Sequence, residues 1–559
     1  MRVGIAMLSL ALLAAKEEPR STPPLDLGVT EETGTALGQI DVTLTGKPEA
    51  LAQVGAGSFE LWVNSQKVET FLADGICPAA GPPPPGAEVA SEDTPQELPH
   101  RPATWILYFD QPHLTSQGRA RAIRMARDSL PGIFQPGDRA AVISNAASLK
   151  TEQAMTDDLQ EVLAALDRLE KDQTQFDIYA SGEDGRVSCF DRSEQDFCPL
   201  PPTTIGEAQV LAYRYAEEEL WRTQRDLFRL ALTIGRLSDV DQPKGVFYFS
   251  DTTRRRAGDH YTSFFARGQG ARWDQLHLPV GGELSFDRVL KNAAALGIRF
   301  YTIEAQPLQT SSTRVREAQQ TLQAMAAETG GRAFINGVTA KRIVSGLRED
   351  RGCLWLLSFD PEGLPKDAAL PVAVKVHVPG VKVQARGQTV IQSARSRLSN
   401  RLLAHFVVET GSEASPLRAA FVPLAWKDGK YTALLQVVAP PTSLAGATWD
   451  LGASVVATER IAAETSARTK VGGSNVPVAL ERVVELKPGP FEVVAVAREV
   501  TTEKVFSART VGAWPDPDDA LAGIVQPVVL QPGPGAFTRD GQIRKTGSLV
   551  HGKDDPLDA

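Results

Sequence analysis

The 559-residue sequence lacks the short signatures of the commonest site chemistries: it has no Cys-x-x-Cys, no His-Glu-x-x-His and no Gly-x-Ser-x-Gly. Dithiol, zinc and serine-hydrolase motifs are therefore missing. Excess positive charge is missing too. The formal net charge is −9, which argues against nucleic acid or an anionic membrane surface as partner. The one run of three basic residues, Arg254 to Arg256, reads as a solvated loop. Histidines are few and scattered, and His260, just after Asp259, reads as an exposed loop residue. No apolar run reaches the ~20 residues that cross a bilayer. The stretch from Val3 to Ala15, between Arg2 and Lys16, instead reads as a secretory signal peptide over residues 1–15. A mature chain without a transmembrane segment, exported to the periplasm, cell surface or medium, is expected. No cysteine stands at the expected cut, so a lipid-anchored start is not expected.

Cysteine is scarce: Cys77, Cys189, Cys198 and Cys353. An exported chain can oxidise them. Cys189 and Cys198 flank "FDRSEQDF" and would close a short loop, so their disulfide is expected, while the pairing of Cys77 and Cys353 stays open. The chain is too long for one core, and its 42% hydrophobic and 23% charged content is that of folded protein.

Patterning divides the chain. Residues 27–75 hold alternating strands such as "SFELWVN" and read as a small N-terminal β module. Residues 76–102, with four consecutive prolines, read as a linker. Over 103–352 apolar strands such as "ATWILYF" alternate with amphipathic helices, predicting a mainly parallel, doubly wound α/β sheet covered on both faces. Residues 353–395 read as a β extension of that domain. Residues 396–512 read as a β-sandwich with an Asp428–Gly429 hairpin turn. Residues 513–559, rich in Pro, Gly and Asp, read as a loosely ordered tail to which "QPVVLQP" could add an edge strand.

In such a sheet ligands gather outside the carboxyl ends of the strands. Asp110 in "LYFD" and Asp251 in "FYFSD" stand at two such ends, and "TTIGEA" opens the long helix that begins near Gly206. Carboxylate and hydroxyl oxygens from three segments are what a hard divalent cation would use. Thr203-x-x-Gly206-x-Ala208 resembles the second metal motif of von Willebrand factor A (vWA) domains, and Asp251 resembles the third. Asp110 matches the first residue of the Asp-x-Ser-x-Ser motif, but Pro112 and Leu114 replace both serines. "IDVTLTG", "AAALGIRFYTIEA", "LQAMAAETGGRAFIN" and "CLWLLSFDPEG" are similar to landmarks of the secreted bacterial VWFA-related family.

That resemblance, covering about residues 35 to 400, implies a Rossmann-like vWA domain with a degenerate metal-dependent adhesion site. It also implies a non-enzymatic protein that docks a protein partner at a rim of Asp110, His113, Thr115, Thr203 and Asp251. With two hydroxyls gone, Asp110, Thr203 and Asp251 would hold Mg²⁺ or Ca²⁺ only weakly, and no other cofactor is expected. A competing reading makes Asp110 and Asp251 caps of neighbouring turns. A structural scaffold with an inert rim and, less simply, a hydrolase using a rim carboxylate are the alternative functions.

Overall fold

A computed structural model describes residues 37–77, 102–189, 202–266 without 239, 241 and 242, 286–306, 313–393, most of 416–517, 530–550, and 396, 397 and 400. The expected signal peptide and nearly all of the linker lie outside the described residues. Within them the chain forms several β-sheets and one mixed α/β sheet.

The α/β sheet has six strands in the spatial order Ala333–Phe334, Ile298–Ile303, Lys244–Phe249, Thr104–Asp110, Arg139–Asn145, Leu149–Thr156. All neighbours are parallel except the last pair. Thr104–Asp110 is buried along its whole length, which explains its unbroken apolar run. Its odd residues Trp105, Leu107 and Phe109 pack with Ile123, Leu130, Val162, Leu166, Ile343 and Leu347 of three helices. On the other face Ile106 and Tyr108 pack with Leu230, Ile234, Leu290, Leu322 and Met325. Each such side chain contributes about 1.5–3 kcal/mol on burial, so the two faces together fix the sheet. Because chain order reverses beside Thr104–Asp110, its carboxyl end is the topological switch point.

The two β stretches that patterning separates, 27–75 and 353–395, are one sandwich. Leu354–Phe359 lies between Gly38–Thr45 and Phe71–Ile76, with Val42 opposite Trp355 and Leu357 opposite Ala73. In the facing sheet Ala369–Val376 pairs with Phe59–Val63. Ile40, Val42, Leu61, Val63, Leu357 and Phe359 make the shared core. The α/β domain is thus an insertion into this sandwich, and a Cys77–Cys353 disulfide, 276 residues apart in sequence, ties its two ends. Cys189 is also disulfide-bonded, and its expected partner Cys198 lies outside the described residues.

The C-terminal sandwich sets five strands against four. Its first hairpin turns on Asp428 and Gly429, both at positive φ (52° and 71°), as a two-residue connection requires. The expected loose tail is instead ordered in part: Leu530–Arg539 and Gln542–Val550 pair with each other and extend the sheet through Val478–Leu486. Proline and glycine concealed all of Leu530–Arg539 but its start, which falls in "QPVVLQP". Pro534 stands at the register shift in its pairing with Gln542–Val550, where proline is tolerated. Among the described residues no helix is long and apolar enough to cross a membrane.

Since neither half of the first sandwich buries its core alone, a peptide of residues 37–77 is expected to give no cooperative urea transition. Joining it to residues 353–391 through a short flexible linker restores one, followed by Trp355 fluorescence. A cooperative transition in the isolated peptide would refute the shared core.

Candidate functional site

Strand Thr104–Asp110 runs straight into a 3₁₀ turn, Gln111–His113, and then helix Ser116–Ile133. Pro112 is accommodated at the turn's start, where its missing N–H is not needed. The turn folds His113 back so that its Nδ1 lies 2.8 Å from Asp110 Oδ2. Tyr248 donates its hydroxyl to the same oxygen, Thr253 Oγ1 donates to it at 3.2 Å, and Asn145 Nδ2 donates to Oδ1 at 3.3 Å. Asp226, on the long helix Ile205–Gly235, brings Oδ2 to 4.0 Å from His113 Nδ1. All three groups are buried: Asp110 is 2% exposed, His113 3% and Asp226 5%.

Burial alone would push the His113 imidazole down, but the Asp110 carboxylate and its hydrogen bond, with Asp226 and Glu219 behind, hold it up at about 9. Asp110 is drawn below its ordinary value: burial opposes this, but the His113 charge and the hydrogen bonds from His113, Tyr248 and Asn145 prevail. Asp226 moves the other way, raised by burial and by the Asp110 charge. At neutral pH the core of the rim is an imidazolium held against a carboxylate.

Asp251 does a different job. Its Oδ2 accepts from the backbone N–H (3.0 Å) and Oγ1 (2.9 Å) of Thr115, and its Oδ1 from the N–H groups of Ala305 (2.9 Å) and Gln306 (2.7 Å). Thr115 Oγ1 in turn accepts from Gly118 N–H at 3.0 Å as the helix N-cap, a contact worth about 0.5–2 kcal/mol. Burial nevertheless raises Asp251 to about 6, against the hydrogen bonds from Thr115, Gln306 and Ala305 that lower it. Gly118 belongs to this arrangement, since a Cβ there would stand 1.7 Å from Asp251 Oδ2.

Thr203 is not part of the cluster. Its hydroxyl donates to Glu207 Oε2 at 2.7 Å, and Thr204 with Glu207 forms a capping box at the exposed start of the long helix. "TTIGEA" is therefore a helix-start signal. About twenty helical residues, roughly 30 Å at 1.5 Å each, separate it from Asp226, which touches the buried cluster. Thr203 cannot share a cation with Asp110. This corrects the expected ligand set of Asp110, Thr203 and Asp251.

Among the described residues, Asp110, His113 and Asp226 do hold ligand atoms within 4.8 Å of one another. The set fits a hard cation poorly. Four donors, the Tyr248 and Thr253 hydroxyls, the Asn145 amide and the His113 ring, aim at the Asp110 carboxylate, where a cation would need lone pairs. Both Asp251 oxygens carry two hydrogen bonds already. Asp251 matches the capping reading through the N–H groups of Thr115, Ala305 and Gln306, whereas Asp110 gives the following turn no side-chain cap and takes side-chain donors instead.

Two further expectations change. Arg254 is buried, in a two-point ion pair with Glu183 (2.6 and 3.2 Å) and 3.9 Å from Glu219. His260 is buried on helix Asp259–Ala266, with Nε2 3.5 Å from Glu183. Asn145, Asp226, Tyr248 and Thr253 were not singled out by sequence reasoning. The available signal was polarity inside apolar runs: Asp226 and Arg229 interrupt "LFRLALTIG" and its approach, and Arg229 reaches Asn145 Oδ1 at 3.0 Å.

No protein-family model and no curated protein matches this chain. Among solved structures it is similar to an aerotolerance-related membrane protein from Bacteroides fragilis, at 10% identity over 44% of this chain and 98% of that one, with a TM-score of 0.23. A conserved hypothetical protein, BatB from Bacteroides thetaiotaomicron, gives 12% over the same shares and the same TM-score. OgpA from Akkermansia muciniphila gives 10% over 25% of this chain and 39% of that one, with a TM-score of 0.14. Likenesses this slight carry no argument about the rim.

His113 is protonated more readily in the folded chain (about 9) than at the ordinary value near 6.5. Its contribution is therefore complete below pH 6.5 and lost as pH rises through 9, on the order of 3 kcal/mol in all. Urea unfolding between pH 6.5 and 9 should show this fall in the wild type and a nearly flat profile in His113→Gln. Equal slopes in the two proteins would contradict it.

Proposed function

We propose that the chain is an exported, non-enzymatic binding protein that docks a protein partner on the outer part of the rim without a metal-centred contact. One observation carries this reading: the rim carboxylates are turned inward, while apolar side chains just beyond them face solvent. The helix Ile205–Gly235 packs on the sheet mainly through Leu227 to Ile234. Its first half projects past the strand ends, braced by the segment around Ser181, whose Oγ accepts from Ser116 N–H at 2.8 Å. Tyr179 sits between the guanidiniums of Arg186 and Arg222, 3.9 and 4.1 Å from its ring centre. On this platform Ile178 (66%), Val210 (70%) and Trp221 (50%) are exposed, with Phe176 and Ile205. Single exposed apolar residues are ordinary. Several on one projecting, well-braced element favour a protein contact.

The inward-turned carboxylates also disfavour the hydrolase alternative, because a general base must reach its substrate. The resemblance to secreted vWA-like proteins supports export and partner binding as associations only.

Capture of an envelope or extracellular protein by the full chain should persist in chelator and weaken in Trp221→Ala by about 2 kcal/mol or more, the loss typical of a central aromatic contact. Capture abolished by chelator, or unchanged in Trp221→Ala together with Val210→Ser, would contradict the reading.

A further inference from the structure

At the opposite end of the α/β sheet, the amino ends of the parallel strands face the first sandwich across a cavity of about 1100 Å³. Junctions between domains are where ligand pockets preferentially form. One wall is apolar, with Trp105, Ile133, Leu354 and Leu356. The other is cationic. Arg299, at the start of strand Ile298–Ile303, and Arg386, after strand Lys382–Ala385, both line the space. Their side chains are only 13% and 9% exposed.

These two guanidiniums share one carboxylate oxygen. Arg386 Nη2 is 3.3 Å and Arg299 Nη2 4.0 Å from Asp41 Oδ2. Arg386 Nη1 also donates to the Ala294 carbonyl at 2.9 Å, and Arg299 Nη1 to Thr43 Oγ1 at 3.0 Å, while Tyr301 and the Asp350 charge act on Arg299 as well. The other carboxylate of the lining, Asp350, is engaged by Arg332. The lining holds six arginine and lysine side chains against the two carboxylates Asp41 and Asp350, an excess of positive charge that favours an anion. Burial, with the Arg299 charge beside it, draws the Arg386 guanidinium below its ordinary value in spite of Asp41. A guanidinium fork is matched by a planar or tripodal oxyanion, and the apolar wall by a hydrocarbon body.

We propose that this cavity binds an amphipathic organic anion, its carboxylate or sulfonate between Arg299 and Arg386 and its apolar body along Trp105, Leu354 and Leu356. The site lies at the far end of the sheet from the rim, and its occupancy is independent of the docking reading above.

The test is calorimetric titration of the full chain with dodecanoate and, separately, with dodecyltrimethylammonium, which carries the same tail and the opposite charge. Saturable one-site binding is expected for dodecanoate alone. Arg299→Gln should weaken it roughly tenfold or more, the loss of a charge-assisted contact, and Leu356→Trp should weaken it by narrowing the space along the apolar wall. Should Arg299→Gln fail to fold, the comparison of the two amphiphiles and Leu356→Trp still decide. Absence of saturable dodecanoate binding, equal binding of the cationic amphiphile, or binding unchanged in Leu356→Trp would overturn the proposal. The first of these is also the result expected if a segment of the chain itself occupies the cavity.

Discussion

Two buried carboxylates at the ends of neighbouring strands govern this molecule. An ionised group taken out of water is expensive unless donors replace its hydration. Asp110 receives His113, Tyr248, Thr253 and Asn145, and Asp251 receives four donors from Thr115, Ala305 and Gln306. Each carboxylate thereby joins elements far apart in sequence. Asp251 fixes the start of the helix after the central strand and the exit of strand Ile298–Ile303. Asp110 fixes the turn that carries His113. The consequence is a closed rim core, its carboxylates turned away from solvent.

The other organising feature is the long-range pairing of Leu354–Phe359 with strands near the amino end. It encloses the α/β domain within a sandwich, and the Cys77–Cys353 bond reinforces the closure. Cross-linking so long a loop restricts the unfolded chain substantially, typically by 2–4 kcal/mol. The same closure faces the amino ends of the parallel strands with Asp41 and Arg386, and so creates the cationic cavity.

Much of the architecture was legible in local patterning. The buried strand "ATWILYF", the long helix after "TTIGEA" and the Asp428–Gly429 turn each follow from short-range rules, and each stands where those rules put it. The first sandwich was not legible as one unit, because its halves lie 276 residues apart, from Cys77 to Cys353, and local alternation does not say which strand pairs with which. Only the start of the strand at Leu530–Arg539 was legible, in "QPVVLQP", because Pro534 at a register shift and the glycines beside it break the pattern beyond. At the rim, Asp110 and Asp251 were found because polar residues at strand ends are conspicuous. Asp226 was missed because a carboxylate in the middle of a helix usually faces water, and only the fold turns this one inward. Thr203 was misplaced because a capping box and a metal motif share threonine, glycine and small residues at similar spacing.

The claim that Asp110 and Asp251 serve as structural acceptors and not as cation ligands is tested most directly by titrating Mg²⁺, Ca²⁺ and Mn²⁺ into the full chain and into Asp110→Asn. The account predicts that neither protein gives a saturable one-site heat with any of the three ions. A saturable heat in the wild type that disappears in Asp110→Asn would contradict it.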